Sequence, residues 1–277
     1  ERRGLRLVCL PATEEGRLDL DALPRLLDER TKLVAVTHGS NVTGAITPVA
    51  AVAAAARAVG AALLLDGAQM APHGPVDVKA LGADFYVLSG HKLGAPNGIG
   101  VLWGRYDLLD RMPPFLGGGE MIRTVGFERS TYARPPQRFE AGTPPIAQAV
   151  GLAAACRFHA AIDQRAAHAH QMALTGRLIE GLKRVAGNRL RLIGPSGLDD
   201  RLPLVSFTIE GMHPHDICQI ADRRGVALRG GHHCAQVLHG RFGVAGSARA
   251  SLAPFNDQGD IDACIAAVGD AMEILLG

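Results

Sequence analysis

Ala62-Leu63-Leu64-Leu65-Asp66-Gly67-Ala68-Gln69 is a short apolar run that stops at a carboxylate and a glycine. Four consecutive apolar residues followed by a polar one read as a buried strand with its carboxyl end at Asp66. Gly60 lies just upstream and closes a helix predicted over 48–59, whose Pro48 suits a first helical turn. Before that helix come the β-rich run Leu33-Val34-Ala35-Val36-Thr37 and a loop from His38 to Gly44. Strand, loop, helix and strand in this order make a β-loop-α-β unit.

The pattern continues downstream. Phe85-Tyr86-Val87-Leu88 forms a second buried-strand candidate leading into Ser89, and Ile99-Gly100-Val101-Leu102-Trp103 a third, reached through the turn cluster 94–98. Strands interleaved with helices imply an α/β sheet. Open α/β sheets bind ligands outside the carboxyl ends of their strands, where Asp66, Ser89, His91 and Lys92 fall. Residues 112–143 break into Pro113-Pro114, Gly117-Gly118-Gly119 and Pro135-Pro136, an irregular segment expected to serve as a lid or an intersubunit loop. From Pro144 the chain reads as helical through Leu182. A strand at Leu204–Ile209, a helix at 214–224, the run Val226-Ala227-Leu228 and a closing helix from Asp257 follow. The expected domains are 1–144 and a smaller α+β domain at 145–277.

The 277 residues are 47% apolar, enough for a sizeable core. Lys and Arg number 29 against 27 Asp and Glu, a net charge of +2, and no basic block forms a nucleic-acid arm. The apolar stretches are too short or too interrupted for a membrane span of roughly 20 residues, and no signal-peptide pattern opens the chain. Five dispersed cysteines without CxxC spacing argue against a disulfide framework or zinc cluster and fit a reducing cytoplasm. Glu1 stands where Met would open a chain, and Arg2 to Leu10 read like a strand inside a domain, so a piece of a longer protein is expected.

Several residue types could carry chemistry. Lys92, in Gly90-His91-Lys92-Leu93-Gly94, has apolar neighbours that could keep an amine nucleophilic and able to condense with an aldehyde cofactor; the alternative is a solvated surface lysine. Asp66 is expected to be buried, where a carboxylate needs a partner such as a protonated pyridine nitrogen; a turn or cap role is the alternative. Gln69 could place its amide against the same ligand, and Ser89 and His91 could bind a phosphate, though each could be structural. Cys234 follows Gly230-Gly231-His232-His233, so the loop can move and a nearby imidazolium could stabilise a thiolate; a buried inert thiol is the alternative. Adjacent His and Cys residues rarely all face one ion, which makes a metal site weak. Arg229 and Arg249 bracket that loop and could grip a carboxylate, or simply form surface ion pairs.

Taken together, these stretches resemble the fold-type I pyridoxal-phosphate enzymes of the class V aminotransferase group, specifically SufS-type cysteine desulfurases. The resemblance rests on six ordered segments: 37–44 (Thr-His-Gly-Ser-Asn-Val-Thr-Gly), Asp66-Gly67-Ala68-Gln69, 84–92 ending in Ser89-Gly90-His91-Lys92, 138–144 (Arg-Phe-Glu-Ala-Gly-Thr-Pro), 229–235 (Arg-Gly-Gly-His-His-Cys-Ala) and Arg249-Ala250-Ser251-Leu252. It implies a partial large domain with a mainly parallel sheet plus a smaller α+β domain. It also implies that Lys92 carries pyridoxal 5'-phosphate and takes the substrate's Cα proton. Asp66 would pair with the pyridine nitrogen, Gln69 with the phenolic oxygen, and Ser89 and His91 with the phosphate.

Asn41 would orient ring and substrate, Arg249 with Arg229 would hold the carboxylate of L-cysteine, and Thr143 would reach the phosphate of a partner subunit, which implies a homodimer. Cys234 would take the substrate sulfur as a persulfide while L-alanine leaves. The Arg-x-Gly-His-His-Cys form is similar to the subgroup that passes sulfur to a SufE- or SufU-type acceptor for iron-sulfur cluster assembly. Val237 stands where many relatives have proline, and Ala95-Pro96-Asn97-Gly98 replaces a more usual Gly-Pro-Thr-Gly. Relatives also carry an N-terminal region with a Gly/Thr phosphate-binding turn and a ring-stacking histidine. Selenocysteine lyase and cysteine sulfinate desulfinase share the cofactor residues and are the nearest alternatives. A truncated, non-catalytic dimerisation or acceptor-binding subunit is an alternative of another class.

Overall fold

A computed structural model of the chain describes residues 4–277. In chain order its helices and strands are α1 (Leu23–Leu26), β1 (Leu33–Thr37), α2 (Val49–Ala58), β2 (Ala62–Asp66), β3 (Phe85–Ser89), β4 (Gly100–Gly104), α3 (Tyr106–Arg111), β5 (Ile122–Thr124), β6 (Thr131–Tyr132), α4 (Ile146–Ala161), α5 (Gln164–Ala186), β7 (Leu190–Leu192), β8 (Leu204–Ile209), α6 (Pro214–Arg223), β9 (Arg229–Gly231), α7 (Gln236–Arg241), β10 (Ser247–Ser251) and α8 (Gln258–Leu276). They form two compact units, one of residues 29–36 and 56–162, the other, among the described residues, of 4–28, 37–55 and 163–277. No helix among the described residues is long and apolar enough to cross a membrane.

The first unit is built on a mainly parallel sheet in the order β1-β2-β3-β4, which β4 closes antiparallel to β3. In the parallel β2–β3 pair, Leu64 lies opposite Phe85 and Asp66 opposite Val87, so the two carboxyl ends are adjacent. Side chains alternate across a strand, and here Leu63 and Leu65 take the buried face. Asp66 falls on the other parity and is exposed, which corrects the expectation of a buried acid. Gly67 follows because nothing larger fits: a Cβ there would sit 1.9 Å from the ring of the buried Tyr86.

β3 runs into a 3-10 turn over Gly90–Leu93, ended by Gly94 in the left-handed region at φ +83°. The Gly90 N–H donates to Ile99 O at 2.9 Å, and a Cβ at Gly90 would press on Ile99 at 2.8 Å. From the other side α4 braces the turn: Leu93 and Ala95 pack on Ala155, and His159 Nε2 lies 3.1 Å from Leu93 O. Gly151 on α4 leaves room for the Pro96 ring, 2.4 Å from where its Cβ would stand. Within the irregular segment a short hairpin, β5–β6, forms. Arg138 ties its flank, donating to Ala133 O (2.9 Å), Asp110 O (2.6 Å) and Met112 O (3.1 Å).

In the second unit β7-β8-β10-β9 make an antiparallel sheet. Val205, Phe207 and Ile209 of β8 and Ala248 and Ala250 of β10 point to one face, where Leu178 and Leu182 of α5, Ile217 of α6 and Val268 of α8 cover them. α8 starts on a capping box between Asp257 and Asp260. The opposite face carries Ser206, Ser247 and Arg249, and there the 38–47 loop settles, with Ser206 Oγ donating to Val42 O.

Some sequence expectations shift. The helix from Pro144 is two helices broken at Ile162-Asp163, with Asp163 capping α5 through the N–H groups of Arg165 and Ala166. Val226-Ala227-Leu228 is not a strand, because the Val226 N–H turns back to Ala221 O and closes α6 behind Gly225 at φ +75°. Arg2 and Arg3 lie outside the described residues, and Gly4–Leu10 contain no strand.

Candidate active site

The chemistry-bearing residues gather in two clusters, one in each unit. At the adjacent carboxyl ends of β2 and β3 stand Asp66, Gln69, Ser89, His91 and Lys92. Asp66 Oδ1 accepts the Ala68 N–H at 2.9 Å, so the carboxylate serves the turn after β2. Lys92 and His91 are exposed on the 3-10 turn, and Gln69 and Ser89 are half-buried. None of these four side chains has a hydrogen-bond or ion-pair partner among the described residues. Burial and then the nearby Asp66 charge push the Tyr86 hydroxyl up to about 12, keeping it a neutral donor beneath the carboxylate. Thr143 belongs to the same unit but lies exposed on the loop before α4.

The residues present fit pyridoxal phosphate. An amine, a carboxylate, an amide, a hydroxyl and an imidazole stand at the adjacent carboxyl ends of two parallel strands, where Gly67 packs on Tyr86 and Gly90 on Ile99 too closely for a side chain. Lys92 would hold the aldehyde carbon, Asp66 the pyridine nitrogen, Gln69 the phenolic oxygen, and Ser89 and His91 the phosphate.

The second cluster sits on the face of the antiparallel sheet opposite its helices. Arg249 of β10 pairs across the strands with Arg229 of β9, two like charges directly opposite each other. Such a pair is unfavourable without an anion to share. Burial, then Arg229, lowers the Arg249 pKa; its Nη1 donates to Asn41 O at 2.8 Å, and its Nε is buried with no partner. Gly230, next to Arg229 on β9 and opposite Ala248, faces α6, where a Cβ would meet His215 Nδ1 at 3.0 Å and Cys218 Sγ at 3.2 Å.

Beyond β9 the chain places His233 (φ +52°) and Cys234 (φ +64°) consecutively in the left-handed region. For non-glycine residues this costs about 1–2 kcal/mol each. Asn41 Nδ2 donates to His233 O and holds the turn to the 38–47 loop. Cys234 is exposed in an open pocket of about 540 Å³ that Arg229, His215 and His232 also line. Arg229 Nη2 approaches its Sγ at 3.5 Å. Burial pushes Cys218 and Cys264, on the helix-covered side of the sheet, up to about 11 each. The expectation of a neighbouring imidazolium is corrected for His233, since burial, then Arg249, hold it down at about 4. It is therefore a neutral ring at neutral pH, and the contacting cation is Arg229.

Sequence reasoning passed over His233 as a residue in its own right, together with Ser247 and His239. Ser247 was findable, because it stands two residues before Arg249 on one strand and so shares its face. Nothing in the sequence marked His239, which lies buried inside the short helix α7.

The aminotransferase class-V family profile matches residues 1–264, and the chain belongs to that family. It is 51% identical over 272 residues to the probable cysteine desulfurase 2 of Mycobacterium leprae, covering 98% of this chain and 64% of that protein. With the probable cysteine desulfurase of Streptomyces coelicolor it shares 46% identity, over 96% of this chain and 63% of the relative. Among solved structures, the cysteine desulfurase CsdA from Escherichia coli superposes with a TM-score of 0.91 at 39% identity, over 97% of this chain and 66% of that one. The apo cysteine desulfurase from Thermococcus onnurineus NA1 gives 0.92 at 36% identity, over 98% and 67%. The chain thus spans just under two thirds of the length of the first of these curated relatives.

Proposed function

We propose that the whole protein is a pyridoxal-phosphate-dependent cysteine desulfurase. The observation that carries this reading is Cys234, an exposed thiol held by two left-handed residues beside Arg229, in a chain that also ends a strand with Ser89-Gly90-His91-Lys92. Pyridoxal phosphate, when bound, supplies an electron sink for charge developing at the substrate's Cα. Lys92 then serves as the base that takes the Cα proton. Arg249 and Arg229, with Asn41, hold the carboxylate of L-cysteine, which relieves their mutual repulsion and satisfies Arg249 Nε. Cys234, as thiolate, attacks the substrate's sulfur; the S–S bond forms as the Cβ–S bond breaks, the electron pair stays with the carbon fragment, which is protonated and leaves as L-alanine, and Cys234 keeps the sulfur as a persulfide.

On this reading residues 1–144 supply most of the cofactor domain and 145–277 the domain with the cysteine loop, in a cytoplasmic homodimer whose Thr143 serves the partner's phosphate. A SufE- or SufU-type protein collects the sulfur for iron-sulfur cluster assembly. The test is Cys234→Ala in the cofactor-loaded protein. Persulfide formation and sulfur delivery are expected to vanish for cysteine, whereas retained sulfur transfer would exclude Cys234 as the acceptor. Comparing cysteine, selenocysteine and cysteine sulfinate in the two proteins separates the desulfurase from a selenocysteine lyase or a sulfinate desulfinase, which tolerate loss of the thiol.

A further inference from the structure

A chain of buried hydrogen bonds ends at the cysteine loop and has no part in the chemistry described above. His239 Nδ1 lies 3.0 Å from Ala235 O, and a carbonyl only accepts, so this nitrogen carries the ring's proton. In the neutral ring Nε2 is then bare and accepts from Ser247 Oγ at 2.9 Å. The Ser247 hydroxyl, having donated its proton there, accepts from His233 Nε2, also at 2.9 Å. Donation therefore runs in one direction, from His233 through Ser247 to His239 and on to Ala235. It leaves His233 Nδ1 without a proton, and that atom is buried with no partner. His233 is 2% exposed, and Ser247 and His239 are fully buried.

The near end of this relay is the strained pair. His233 and Cys234 adopt the left-handed conformation in succession, and such a conformation persists only where its surroundings over-determine it. Asn41 grips the backbone at His233 O, and the relay grips the His233 ring from the opposite end. The far end is anchored in α7, where Ala235 O accepts both the His239 N–H and His239 Nδ1. His232, the other residue before the thiol, sets its ring edge-on to His239 with centroids 5.7 Å apart.

We propose that Ser247 and His239 are positioning residues for Cys234: through His233 they lock the strained turn so that the thiol projects into the pocket beside Arg229. This rests on the reading of Cys234 as the sulfur acceptor. Neither residue lines the pocket around Cys234. Both act through the His233 ring, and no other role falls to a hydroxyl buried between two imidazoles.

The experiment is alkylation of the native, whole protein by iodoacetamide, with the rate at each cysteine resolved by peptide mass. Cys9 and Cys156 are exposed and serve as internal references. In Ser247→Ala and His239→Leu the rate at Cys234 is expected to fall about 3- to 10-fold as the thiol leaves Arg229, with Cys9 and Cys156 unchanged. Ser247→Thr keeps the hydroxyl and is expected to stay within about twofold of the parent. Thermal melting confirms that each variant is folded; where Ser247→Ala fails to fold, His239→Leu decides. A Cys234 rate that is unchanged in the folded variants, that shifts equally at all the exposed cysteines, or that drops as far in Ser247→Thr as in Ser247→Ala overturns the proposal. Alkylation needs neither cofactor nor turnover. A parent protein that releases no alanine but shows this pattern defeats the desulfurase reading and leaves the positioning role standing. Normal desulfuration with unaltered alkylation does the reverse.

Discussion

His233 joins the energetics of the site to its chemistry. Its ring is buried, faces Arg249, His239 and Arg229, and titrates near 4 in the folded chain against 6.5 in an open one. Burial lowers the pKa of His38 in the same direction. A histidine whose folded pKa is depressed must be neutral to stay folded, so its contribution is complete above about 6.5 and is lost as pH falls towards 4. Asp260 and Asp262, held below 3.8 by Asn256 and Arg177, titrate under that window and do not oppose the trend. The urea midpoint is therefore expected to drop between pH 7 and pH 5, with a flatter profile in His233→Gln. A flat profile in the parent would remove His233 from the account.

At the scale of elements, the strand ends are shaped by residues chosen for smallness. Gly67→Ala would place a methyl group 1.9 Å from the Tyr86 ring, so the ring or the β2 end must move. Overpacking of this kind costs about 1–3 kcal/mol, and a lower melting temperature together with weaker pyridoxal-phosphate binding is expected. Unaltered stability would mean that the close approach has no structural role. The same β-loop-α-β elements were plain in the sequence, because Leu63-Leu64-Leu65 and Phe85–Leu88 are short apolar runs ending at polar residues. β7, β9 and β10 were not, since Leu190–Leu192 and Arg229–Gly231 are only three residues long and Arg249 and the flanking serines interrupt the apolar pattern of β10. The burial of Asp66 was misjudged because the apolar run before it concealed which parity of the strand faced inward. Motif residues were legible from their types and order, whereas the His233–Ser247–His239 relay depends on three segments meeting and left no local signature.

For the molecule as a whole, one unit supplies a lysine at the end of a parallel strand pair and the other a cysteine on a strained turn beside two opposed arginines. The chain belongs to the aminotransferase class-V family, and its relatives include a probable cysteine desulfurase at 51% identity. The most direct measurement incubates the protein with pyridoxal phosphate and L-cysteine, then determines the intact and peptide masses alongside the alanine released. One added sulfur atom on Cys234, with alanine in equal amount, is expected in the parent and in neither Lys92→Ala nor Cys234→Ala. A parent that binds the cofactor yet forms no alanine, or a sulfur adduct on Cys234 that persists in Lys92→Ala, would contradict the account.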